Sequence, residues 1–136
     1  MKYNQLIPEL TVSDIERSKQ FYTEILGFKI EYERPENKFV FLSLGEAQLM
    51  LEEENGNWSV GELKYPYGNG VNFQIEVTQL ERAVTSIKEK GIHLFKDVFC
   101  SKYRCGNVVY EEKEFLILDP DGYMLRFSET VESVGE

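Results

Sequence analysis

The chain has 136 residues, 42% apolar and 13% aromatic, enough to bury the core of a single domain over 1–136. Lys and Arg number 15 against 24 Asp and Glu, and the net charge of −9 repels a phosphate backbone, which argues against a nucleic-acid partner. No apolar run approaches the ~20 residues that span a bilayer, and the start Met1-Lys2-Tyr3-Asn4-Gln5 has no signal-peptide pattern, so the expectation is a cytoplasmic protein with no membrane partner.

In chain order, residues 6–12 alternate as a strand, with Leu10 and Val12 on one parity and Ile7, Glu9 and Thr11 on the other. Ser13-x-x-Glu16 reads as a capping box opening a helix. Ile15, Tyr22, Ile25 and Leu26 recur at helical spacing, and Gly27 ends the run as a left-handed residue. Strands are expected over 28–33, 38–44 and 47–53, with a break at Arg34-Pro35-Glu36-Asn37 and a tight hairpin at Gly45-Glu46. Residues 54–69 read as a loop carrying Trp58, Tyr65 and Tyr67.

A strand over 70–77 follows, alternating Val71, Phe73, Ile75 and Val77 against Asn72, Gln74 and Glu76. Thr78-x-x-Glu81 is a second capping box, Leu80, Ala83, Val84 and Ile87 a second helical stripe, and Gly91 its end. A strand over 92–98, a loop from Cys100 to Asn107 and one or two strands over 108–118 complete the middle. In a reducing compartment Cys100 and Cys105 are expected as free thiols, and with a single His, His93, they complete no four-ligand zinc set. The run Phe115-Leu-Ile-Leu-Asp119-Pro-Asp-Gly122 is a strand entering a turn. Pro presets φ, Asp bonds its own backbone and Gly accepts positive φ. Beyond it Tyr123, Leu125 and Phe127 alternate with Met124, Arg126 and Ser128.

Both halves thus read β-α-β-β-β. Val12 to Val77, Ile15 to Leu80 and Glu16 to Glu81 are each 65 positions apart, as a duplicated module requires. The fold class is α+β: two βαβββ modules, about 5–53 and 70–129, joined by loop 54–69, forming a curved mixed sheet around a cleft with helices outside. The parity opposite the core carries Ile7, Glu9 and Thr11; Gln48, Met50 and Glu52; Asn72, Gln74 and Glu76; and Met124, Arg126 and Ser128. That set is too polar for a dry core. It is either a solvated sheet face or a polar pocket.

Leu10-Thr-Val-Ser-Asp14, Ser18-Lys-Gln-Phe21-Tyr22 and Leu26-Gly27-Phe28, together with Phe115 to Gly122 and Leu125-Arg-Phe127, resemble the glyoxalase / bleomycin-resistance / extradiol-dioxygenase group, the vicinal oxygen chelate superfamily. The resemblance spans about residues 5–129 and implies two modules wrapping a pocket, often in a homodimer. In its metal-dependent members, one side chain on the first and one on the last strand of each module hold a divalent ion. Those positions fall at Ile7, Met50, Asn72 and Arg126, none of them a His or carboxylate, so no metal and no other cofactor is expected.

What remains resembles the metal-free, bleomycin-resistance-like branch, whose members sequester a cationic drug without catalysis. The expected ligand residues are Ile7, Glu9, Met50, Glu52, Trp58, Asn72, Gln74, Glu76, Met124 and Arg126. Arg126 serves an acidic ligand group or pairs with Glu9 or Glu52. The partner is a small molecule, cationic in view of the carboxylates. The alternative is a lyase or dioxygenase-like enzyme, using a displaced site at Glu9, Glu52 and Glu76 or acid–base catalysis with Glu9 or Glu76 as base.

Overall fold

A computed structural model describes residues 1–135, with side chains through residue 131; residue 136 lies outside the described residues. The elements run β1 (Glu9–Val12), α1 (Ile15–Gln20), β2 (Lys29–Arg34), β3 (Phe39–Leu44), β4 (Ala47–Glu53), β5 (Asn72–Glu76), α2 (Leu80–Glu89), β6 (Lys96–Cys105), β7 (Val108–Leu118) and β8 (Met124–Gly135). This is the expected β-α-β-β-β order, twice. The strands form two four-stranded mixed sheets, β1-β4-β3-β2 and β5-β8-β7-β6. The chain divides into two compact units, Met1–Tyr67 with Asp119–Asp121, and Gly68–Leu118 with the chain from Gly122 onward.

The register bears out the repeat. In the first sheet β1 runs parallel to β4 with Glu9 beside Met50. In the second β5 runs parallel to β8 with Gln74 beside Arg126. One face of each sheet is dry. Leu10, Val12, Val40, Leu42, Leu49 and Leu51 are buried with Ile15 and Tyr22 in the first unit. Ile75, Phe115, Ile117, Leu125 and Phe127 are buried with Leu80, Val84 and Ile87 in the second. The three α2 side chains fall on one helical face, and each contributes about 1.5–3 kcal/mol by burial.

The helix starts differ from the expected capping boxes. The cap of α1 is Asp14, whose Oδ1 accepts from Arg17 N at 3.1 Å, while Ser13 turns away. Ser13 N and Oγ both donate to Asp121, at 2.9 and 2.5 Å. At α2 the cap position is Gln79, in the left-handed region at φ 58, with no side-chain cap bond. A carboxylate from the last strand of the same module serves each helix instead. Glu53 accepts from Ile15 N at 3.1 Å, and Glu129 accepts from Gln79 N and Leu80 N at 3.0 and 3.1 Å. A negative charge there also complements the helix dipole.

Other boundaries move. The first strand begins at Glu9 rather than residue 6, and α1 continues into a wider π turn over Phe21–Ile25 before Gly27. Residues 92–94 are not strand, because β6 begins at Lys96. The expected loop from Cys100 to Asn107 is mostly strand: β6 runs to Cys105 and turns at Gly106-Asn107 into an 11-residue β7. Tyr103 and Tyr110 face each other across this hairpin, which is polar and exposed along much of its length. Cys100 and Cys105 are free and exposed. Among the described residues no helix is long and apolar enough to cross a membrane.

The Asp119-Pro-Asp-Gly122 turn behaves as its residues require. Asp119 Oδ1 accepts Asp121 N at 2.9 Å, and Gly122 takes φ 91. Its carboxylates also anchor the first unit. Buried Asp119 accepts from the buried Tyr22 hydroxyl at 2.8 Å, and Asp121 gathers Ser13 and Arg17.

Candidate functional site

Each sheet's second face carries the residues singled out by parity. On the first sheet the register places them in rows. One row reads Arg34, Phe39, Glu52, Thr11 across β2, β3, β4 and β1; the next reads Tyr32, Phe41, Met50, Glu9. Phe41 is stacked by Tyr32, with centroids 5.2 Å apart and planes at 16°, and met edge-on by Tyr3 at 5.4 Å. The Arg34 guanidinium lies 3.9 Å from the Phe39 ring centroid. The N-terminal residues are tied along β4, with Asn4 N donating to Gln48 Oε1 and Gln48 Nε2 donating to the Lys2 carbonyl.

The acidic members of this face differ in their partners. Glu52 Oε1 accepts from Trp58 Nε1 and from Asn55 Nδ2, each at 3.0 Å. This brings Trp58 to the face by its ring nitrogen while two-thirds of the residue stays exposed. Glu9 accepts no hydrogen bond among the described residues. Burial and the neighbouring Glu52 charge hold its carboxyl above the usual range, and Arg34 opposes them. Ile7 and Met50 are half-buried beside this group. Tyr65 is exposed, and Tyr67 is tied by its backbone N–H to the Asp121 carbonyl at 2.8 Å.

The second sheet's face is built around a charge pair that parity alone did not reveal. Glu114 on β7 is fully buried. Its Oε1 lies 3.5 Å from Arg126 Nε, and its Oε2 accepts a short hydrogen bond from the Tyr103 hydroxyl. Arg126 Nη2 donates to Gln74 Oε1 at 2.6 Å, and Gln74 Nε2 donates to Ser128 Oγ at 3.1 Å. Thus Arg126 pairs with Glu114, not with Glu9 or Glu52. The hydrogen bond to the Tyr103 hydroxyl pushes that phenol's pKa up. Glu76 is committed to Thr130, accepting from its N at 2.9 Å and its Oγ1 at 3.2 Å. Asn72 is exposed beside half-buried Met124.

The four positions that the resemblance assigns to a metal do not fit one. Ile7 has no donor atom, Met50 offers a soft thioether, Asn72 a weak amide oxygen, and Arg126 a cation already paired with Glu114. Among the described residues no three His, Cys, Asp or Glu side chains gather as a metal would need. His93 is exposed beyond α2, near the Lys88–Asp97 ion pair. A depression of about 460 Å³ opens between α1 and the β2–β3 connection, but its Lys19 and Lys38 are matched by Glu33 and Glu53. Its charges leave no unmet demand for a ligand.

Sequence reasoning missed Arg34, Tyr32, Tyr3 and Glu114. Arg34 stands beside Pro35 and reads as loop edge, Tyr3 precedes the first strand, and Glu114 ends the charged run Glu111-Glu112-Lys113-Glu114, which reads as solvated. The one signal for Glu114 was a charge on the polar parity of a buried strand, which demands a counter-ion.

Comparison with known proteins gives a consistent answer. Residues 3–127 match the family model described as the glyoxalase/bleomycin resistance protein/dioxygenase superfamily. A probable lactoylglutathione lyase of Synechocystis is 28% identical over 127 residues, covering 89% of this chain and 91% of its own. A bleomycin resistance protein of Geobacillus stearothermophilus is 26% identical over 138 residues, covering 95% and 98%. A solved virulence protein of Salmonella typhimurium shares the fold at TM-score 0.71 and 23% identity, over 96% of this chain and all of that one.

Proposed function

Since the chain belongs to the glyoxalase/bleomycin resistance protein/dioxygenase superfamily, we propose that it binds a small organic molecule without a metal ion and without transforming it. The observation that carries this reading is what replaces a donor set. The first sheet offers half-buried Tyr32, stacked on buried Phe41, with carboxylates and a Trp beside it, and the second commits Arg126 to a buried carboxylate. Aromatic rings and partly desolvated charges supply affinity and orientation for a drug-sized ligand. The sheet faces carry the ligand residues: Ile7, Glu9, Met50, Glu52 and Trp58 from the first, and Asn72, Gln74, Glu76, Met124 and Arg126 from the second. The protein acts as a homodimer in the cytoplasm. A thermal-shift screen of chelator-treated protein against a drug-like library tests the reading. Compounds that raise the melting temperature support it. Stabilisation by a divalent metal, with no compound active, overturns it.

A second reading draws on Glu9. A half-buried carboxyl with a raised pKa and, among the described residues, no hydrogen-bond donor is a general-base candidate. It would make this chain a metal-free enzyme, in keeping with the relatives named lyases. Turnover of a 2-oxoaldehyde thiol adduct by chelator-treated protein, lost in Glu9→Gln, would favour it over sequestration.

A further inference from the structure

The first sheet's second face holds three charged groups, Arg34, Glu52 and Glu9, whose hydrogen-bonding capacity is not filled among the described residues. The Arg34 guanidinium carbon lies 3.9 Å from the Phe39 ring centroid, and among the described residues the guanidinium makes no hydrogen bond and no ion pair. A guanidinium stacked on a ring keeps its edge donors in plane and free, the geometry that grips a carboxylate with two bonds. On the far side of Phe39, Glu52 uses one oxygen for Trp58 and Asn55, and among the described residues its Oε2 has no donor. Glu9, one row away, accepts no hydrogen bond among the described residues.

Cation, ring and anion therefore follow one another across β2, β3 and β4, with Arg34 beside Phe39 and Phe39 beside Glu52. Two strand spacings separate the charged backbones by about 10 Å. The surface between them is aromatic beneath: half-buried Tyr32 stacks on Phe41, and Phe39 and Phe41 lie buried under Tyr32 and Arg34. A dication would meet Arg34 with like charge, and a simple acid would meet Glu9 and Glu52. A molecule positive at one end and negative at the other satisfies both ends at once.

We infer that this face recognises a zwitterion, a flat apolar body whose acid end is taken by Arg34 and whose cationic end lies against Glu9 and Glu52. The inference rests on the binding reading above and sharpens it, because a purely cationic ligand leaves Arg34 unmatched.

Three matched probes test it on the full chain: a biphenyl bearing an aminomethyl group at one end and a carboxylate at the other, and the biphenyl amine and biphenyl acid that each lack one charge. Trp58 is the only tryptophan, and it is bonded to Glu52, so its fluorescence reports occupancy directly. The zwitterion is expected to bind at least tenfold more tightly than either singly charged probe. Arg34→Met should remove its advantage over the amine, and Glu52→Gln its advantage over the acid. Both are solvent-accessible side chains, and unchanged melting temperatures would confirm intact folds. If the amine binds as tightly as the zwitterion, the inference fails while the binding reading stands. Zwitterion binding unaltered by both substitutions also overturns it, because the ligand then lies elsewhere. Failure of all three probes against folded protein overturns it, and a library compound that still binds in the chelated screen would keep the broader reading intact.

Discussion

Glu114 has no exposed surface, yet its carboxylate meets Arg126 and the Tyr103 hydroxyl on one face of the second sheet. Removing one partner of a buried pair strands the other in low dielectric, so Arg126→Met should cost about 3 kcal/mol of stability, read as a lower denaturant midpoint. Tyr103→Phe removes a single hydrogen bond to that carboxylate and should cost about 1–3 kcal/mol. The face of Arg126 was legible from alternation; its partner was not. Alternation assigns a residue to a side of the sheet, whereas pairing depends on which strand lies next and in what register. Glu9 supports a prediction in pH. Its pKa is raised by burial and by Glu52, against Arg34, so the folded state holds its proton more tightly than the unfolded chain does. Its contribution to stability is therefore present below the usual carboxylate range and lost as pH rises through the higher folded value. For the same reason a cationic group bound there should weaken as pH falls through that value. Affinity measured across the acid range should show this step, and Glu9→Gln should flatten it.

Glu53 and Glu129 occupy corresponding places, each closing the N-terminus of its own module's helix from the last strand. Loss of such a cap costs about 1 kcal/mol, so Glu53→Ala and Glu129→Ala should each lower stability by that order, while Thr78→Ala should change it little. The Lys38 contact and the Ile15 N–H hold the Glu53 carboxyl below its ordinary range. This part of the stability is present above the unfolded pKa and lost as pH falls through the folded one. Both helices were legible in the spacing of Ile15 and Tyr22 and of Leu80, Val84 and Ile87, and their capping was not. The pattern Ser/Thr-x-x-Glu describes a local exchange of hydrogen bonds, and here Asp121 from 108 positions away takes Ser13 instead. The stretch from Cys100 to Asn107 reads as loop for a related reason. Its polar residues Ser101, Lys102, Arg104 and Asn107 fall on both parities, so period-two alternation of polarity is missing, and only cross-strand pairing declares the strand.

At the scale of the whole chain, the repeat was the most legible property, because it is written several times. Equivalent residues fall 65 positions apart along the first strands and helices, and the parallel pairs Glu9–Met50 and Gln74–Arg126 show the same registration in three dimensions. Superfamily membership follows from the match over residues 3–127. The chemistry within the family turns on donor atoms, and the decisive residues are Ile7, just before β1, Met50 within β4, Asn72 at the start of β5 and Arg126 within β8. The most direct measurement divides one preparation into a chelated half and a half supplied with zinc, nickel, manganese or iron. Each half is titrated with the tightest compound from the screen, followed by Trp58 fluorescence. The account predicts the same saturable dissociation constant in both halves; binding confined to the metal-supplied half would contradict it.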